Sequence, residues 1–167
     1  GLGKSLAAAG FRAIAIQTRG AGLSAGPTTG LNLHDLAGDI ANVIDAMALG
    51  PCHVVGYDSG NRTSRILATD RPDLVRTLVL LACGGKFPPA PHVLEAFERF
   101  KAGDETAADE LRRAHWAPAT DVSTMPKTPS WPQAVEVCLS SVPQTPWEEF
   151  WAGGGVVPML VVQGLDD

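Results

Sequence analysis

Gly56-Tyr57-Asp58-Ser59-Gly60 is the segment of this chain with the residue types and spacing for covalent catalysis. A sharp turn from strand into helix can hold a nucleophile above a sheet, provided the residues two before and two after it are too small to collide. Centred on Asp58, the turn has glycine at both places; centred on Ser59, it has Tyr57 and Asn61 there. Sterics therefore favour the aspartate over the more familiar serine. A carboxylate so placed can attack an electrophilic carbon and form an ester, which an activated water then cleaves. The competing reading of Asp58 is a plain helix cap.

Other chemical signals are weaker. His53 begins a buried strand, His34 lies on a helix, and His92 and His115 fall in a later segment, so each is read as structural. Gly3-Lys4-Ser5 lacks the earlier glycine of a phosphate loop, and residues 20–26 lack G-x-G-x-x-G spacing, so no nucleotide cofactor is expected. Cys52, Cys83 and Cys138 are widely separated and odd in number. They predict neither a disulfide framework nor a metal site, and a reducing, cytoplasmic compartment.

The elements that must position Asp58 follow from periodicity. A short helix over residues 4–9 precedes a strand over 11–16 with Ala13, Ile14 and Ile16 buried, then a glycine-rich loop over 19–30. Leu33, Leu36, Ala37, Ile40, Val43, Ile44 and Met47 stand at helical spacing, with Asn32 as N-cap and Gly50-Pro51 as the stop. A strand over 53–55 leads into the glycine-flanked turn. A helix from Gly60 ends before Arg71-Pro72, and a buried strand covers 75–82. Strands alternating with helices predict an α/β fold, a mostly parallel sheet flanked on both faces by helices.

Residues 84–155 break this pattern: 9 of the 13 prolines, all four tryptophans and four of the five phenylalanines fall there, with helical patches at 93–101 and 106–115. This reads as an inserted helical cap, and the sheet resumes at 158–163. The core is then residues 1–83 and 156–167. The chain has 167 residues, 45% of them hydrophobic, and a net charge of −5, which predicts one sizeable core and gives no footprint for nucleic acid or an anionic membrane. A small-molecule substrate is the partner expected. The chain opens on Gly1-Leu2-Gly3 and stops at Asp166-Asp167 after an apolar run, and it is read as a fragment incomplete at both ends.

Four motifs in order and spacing resemble the α/β-hydrolase family. Arg19-Gly20-Ala21-Gly22-Leu23-Ser24 is similar to its loop after strand four, and residues 53–60 to strand five with the nucleophile elbow. Arg71-Pro72-Asp73-Leu74-Val75-Arg76 is similar to the approach to strand six, and Val157 to Gly164 to strand seven. The resemblance implies a triad of nucleophile, acid and histidine in that order. Asp58 matches the nucleophile and Asp167 the orienting acid, with Asp166 as fallback; the histidine would follow an eighth strand that this chain does not contain. It also implies an oxyanion site built from the Ser59 backbone N–H and a donor before Gly1, and no cofactor or metal. The piece alone is expected to be inactive. Family strand order further implies that strands 11–16 and 53–55 lack their common neighbour.

An aspartate elbow resembles epoxide hydrolases and haloalkane dehalogenases. Two departures leave the leaving group unassigned: Ser59 stands where those enzymes commonly have tryptophan, and the only tyrosine is Tyr57, inside the elbow. Aromatic residues of the cap, among them Phe97, Phe100 and Trp116, would line an apolar pocket or form the cap's own core. Gly60-Asn61-Arg62 and Ala82-Cys83-Gly84-Gly85-Lys86 resemble a less characterised branch, which leaves a non-catalytic, ligand-binding or regulatory homologue as the alternative.

Overall fold

The computed structural model describes residues 1–24, 26–82, 90–115, 121, 137 and 157–164. Helix α1 (Leu2–Ala8) is followed by the glycine loop and helix α2 (Leu33–Ala46). Strand β1 (Cys52–Tyr57), helix α3 (Ser59–Asp70), a single 3-10 turn (Pro72–Leu74) and strand β2 (Val75–Leu81) come next. Helices α4 (Pro91–Lys101) and α5 (Glu105–His115) precede strand β3 (Met159–Val162).

Helix α2 starts where a capping box dictates. The Asn32 side chain accepts from the Asp35 N–H at 3.0 Å while the Asp35 carboxylate accepts from the Asn32 N–H at 2.9 Å, satisfying two donors that would otherwise be orphaned. It ends earlier than Gly50-Pro51 suggests. Ala48 adopts φ 51°, its N–H donates to the Asp45 carbonyl, and the Leu49 N–H donates to the Ile44 carbonyl at 3.1 Å. This is a Schellman closure with alanine in the place that usually takes glycine. Met47 consequently lies outside the helix and is exposed, not part of the core.

The three strands form one parallel sheet in the order β1-β2-β3. Register puts Val54 beside Leu78 and Gly56 beside Leu80, on the face that α3 covers. Leu78, Leu80, Ile66 and Leu67 are fully buried there, together with Leu33, Leu36, Ala37, Ala41 and Ile44 from α2. The opposite face carries His53, Val55 and Tyr57, all exposed. Among the described residues, helices therefore pack on one face of the sheet and not on both.

Residues 11–16 are the main correction. They form no strand, and Ala13, Ile14 and Ile16 are exposed where burial was expected. A strand is defined by its partner: among the described residues β1 pairs only with β2, and no described strand lies between β1 and this segment to complete its backbone hydrogen bonds. Phe11 nevertheless meets His53 edge-on at 6.2 Å between ring centres, which keeps the segment beside β1.

Helices α4 and α5 bury Ala96, Phe97, Ala107 and Leu111 in a cluster of their own, with Val93 and Phe100 against it. They match the two helical patches expected at the start of the insertion; most of residues 116–156 lies outside the described residues. Among the described residues, no helix is long and apolar enough to cross a membrane.

Candidate active site

Asp58 sits at the junction of β1 and α3 with φ 49° and ψ −119°, a region that L-residues rarely occupy and that marks stored strain. Its N–H donates to the Leu81 carbonyl at 3.2 Å, and its carbonyl accepts from the Asn61 N–H at 3.0 Å. The half-buried side chain makes no capping bond to the N–H groups of α3. The carboxylate is therefore not engaged as a helix cap, although its residue occupies the N-cap position.

Steric demand is unequal on the two flanks. A Cβ on Gly56 would stand 2.6 Å from the Asn61 Cα and 2.7 Å from both the Gly60 carbonyl oxygen and the Ser64 Oγ, closer than real Cβ atoms come. A Cβ on Gly60 would meet nothing within 4 Å. The requirement for a small residue two places after Asp58 is thus corrected: the close approach is of α3 onto Gly56, and Gly60 points into open space.

Ser59 is the first residue of α3, so its N–H has no intrahelical acceptor and is available beside Asp58. Asp166 and Asp167 lie outside the described residues. His34 bonds Asp70 at 2.7 Å, at the end of α3 opposite Asp58 and about 17 Å along the helix. His53 bonds the Thr77 hydroxyl at 2.7 Å on the exposed sheet face. His92 is exposed on α4, and the side chain of His115 lies outside the described residues. Neither His34 nor His53 is brought to Asp58.

Two features escaped the sequence. Asn61, only 3% exposed, donates its Nδ2 to the Ala82 carbonyl at 2.8 Å, and Ala82 itself adopts φ 49°. The available signal was a polar residue on the sheet-facing side of a helix start. Arg19 of the glycine loop grips Asp39 of α2 through two 2.5 Å bonds, and that hydrogen bonding raises the arginine's already high pKa. This pair belongs to a cleft of about 420 Å³ between the loop and α2 that does not include Asp58. Among the described residues, no three His, Cys, Asp or Glu side chains gather as a metal site would require.

Comparison with known proteins agrees with the fold. Residues 1–124 match the family model described as alpha/beta hydrolase fold. The chain is 39% identical over 102 residues to a 2-(acetamidomethylene)succinate hydrolase of Mesorhizobium japonicum, covering 59% of this chain and 35% of that protein. It is 37% identical over 95 residues to a Variovorax paradoxus protein named "Putative carbamate hydrolase RutD", covering 56% and 35%. The chain thus spans about a third of the length of these curated relatives. The solved structure of Rv0554 from Mycobacterium tuberculosis superposes with a TM-score of 0.74 at 24% identity, covering 98% of this chain and 65% of the other.

Proposed function

The chain belongs to the α/β hydrolase fold family, and from that premise we propose that it is part of a hydrolase of small apolar organic compounds whose nucleophile is Asp58. The observation that carries the reading is a half-buried carboxylate on a strained turn that does not cap the helix it precedes. Strain of about 1–3 kcal/mol at a single residue persists only where the surroundings impose it, and such strain clusters at reactive sites.

In this cycle one Asp58 oxygen displaces a leaving group from carbon, forming an ester to the enzyme. Water then attacks the Asp58 acyl carbon, and the product departs with the original aspartate oxygen. The Ser59 N–H stabilises the charge on the acyl oxygen as water adds. The base that activates the water would be a histidine oriented by Asp167, supplied from outside the described residues. The substrate-facing wall would come from the cap insertion. Nothing in these steps needs a metal or cofactor.

The names of the relatives favour a second reading, attack at an acyl carbon as in a carbamate, with Asp58 acting as base on water and forming no ester. Single turnover of the full-length protein in ¹⁸O-labelled water, followed by mass analysis of the Asp58 peptide and of the product, separates the readings. Label in Asp58 is expected. Label in product alone would replace the nucleophile with the base, and substrate bound unchanged would mark a non-catalytic binding homologue.

A further inference from the structure

We propose that Asn61 is a positioning residue for the reaction at Asp58, an inference that rests on the nucleophile reading of that aspartate. The Leu81–Ala82 peptide continues the sheet ladder: its oxygen accepts the Asp58 N–H, and its nitrogen donates to the Val162 carbonyl of β3 at 3.1 Å. The next oxygen, that of Ala82, has left the ladder, because the chain there turns through a left-handed φ of 49°. The Asn61 amide takes that oxygen at 2.8 Å. Asn61 thereby ties the first turn of the elbow helix to the point where the chain leaves β2 for the cap insertion, and the same peptide junction reaches the strand that leads to Asp167.

The side chain has little slack. The Asn61 Cα would lie 2.6 Å from a Cβ on Gly56, so the helix start rests directly on the strand, and the residue is almost wholly buried. A side chain of asparagine's length that ends in a hydrogen-bond donor reaches Ala82 from there. Serine is too short, and an ionised aspartate would face a carbonyl oxygen with no proton to give. Misplacement of reacting groups by about 1 Å can cost about 100-fold in rate, so loss of this tie should act on the chemical step and not on substrate binding.

The test uses the full-length protein with a terminal epoxide and an alkyl halide as probes. Intact-mass trapping of the Asp58 adduct counts working sites, so that kcat is expressed per trapped site. Asn61→Ala is expected to lose about 10- to 100-fold in kcat per site, with KM within about twofold of wild type. Asn61→Asp, nearly isosteric, should lose as much at neutral pH and regain activity as its carboxyl is protonated, relative to the wild-type pH profile. It serves as the second variant if Asn61→Ala does not fold. A merely structural role would lower the number of trappable sites at unchanged kcat per site, and that result, or a wild-type pH profile in Asn61→Asp, overturns the proposal. A wild-type protein that turns over but never carries an adduct on Asp58 sinks the nucleophile reading itself, a distinct failure.

Discussion

At the scale of single residues, the two glycines around Asp58 look equivalent in sequence and are not equivalent in space. Gly56→Ala would drive a methyl into the backbone of α3, where neither Asn61 Cα nor the Gly60 carbonyl can swing away. Overpacking of this kind costs about 1–3 kcal/mol. Gly60→Ala places its methyl in open space on a helix, and should stabilise by up to about 1 kcal/mol through helix propensity. Urea melts of the two variants check this; equal destabilisation would mean that α3 sits differently over β1. The need for glycine at 56 was legible because steric exclusion around a tight turn is local, whereas the matching inference for Gly60 was wrong because that position faces open space. The Asn61–Ala82 bond was not legible, because its acceptor is 21 residues away and becomes reachable only once β1 and β2 are in register.

Helix α2 shows the same division at the scale of elements. Its start could be read from Asn32 and Asp35, whose capping box needs only neighbours three residues apart. Its end could not, since Ala48 closes the helix in a conformation that sequence rules assign to glycine. Ala48→Gly should therefore stabilise the protein by about 0.5–1 kcal/mol, the left-handed strain relieved less the added entropy of the unfolded chain; a lower thermal midpoint would contradict the closure. Between α4 and α5, Asp104 accepts from the Thr106 hydroxyl at 2.6 Å, from the Thr106 N–H, and from Arg99, which also bridges to Glu110. Bonding to Thr106 first, and to Arg99 second, lowers its pKa to about 2. Because the folded value is depressed, this contribution is complete above the ordinary carboxylate pKa and fades as pH falls from about 4 through about 2. Carbon-detected NMR should find Asp104 titrating near its low value, and Thr106→Ala should move that midpoint upward. An unmoved midpoint would assign the shift to Arg99 instead.

Over the whole molecule, what matters most is the uncovered face of the sheet. Strands alternating with helices predict a parallel sheet, and parallel sheets are ordinarily buried on both faces. Here register aligns Val55, Val79 and Leu160 in one row and Tyr57, Leu81 and Val162 in the next, on the side away from α3. Leu160 is 57% exposed, and all four residues of β3 are exposed. The failure of residues 11–16 to form a strand has the same origin, since sequence periodicity reports which side chains prefer burial and not whether a partner is there to bury them. A contiguous apolar surface of this kind drives association. These 167 residues expressed alone should bind anilinonaphthalene sulfonate and sediment with an average mass that rises with concentration. Val55→Lys with Leu160→Lys, one charge at each end of the first exposed row, should suppress both signals while changing stability by no more than about 0.5 kcal/mol per site. A parent chain that stays monomeric and silent to the dye would mean that this face is covered in solution, and the double lysine variant would then be strongly destabilised by burying two unpaired charges.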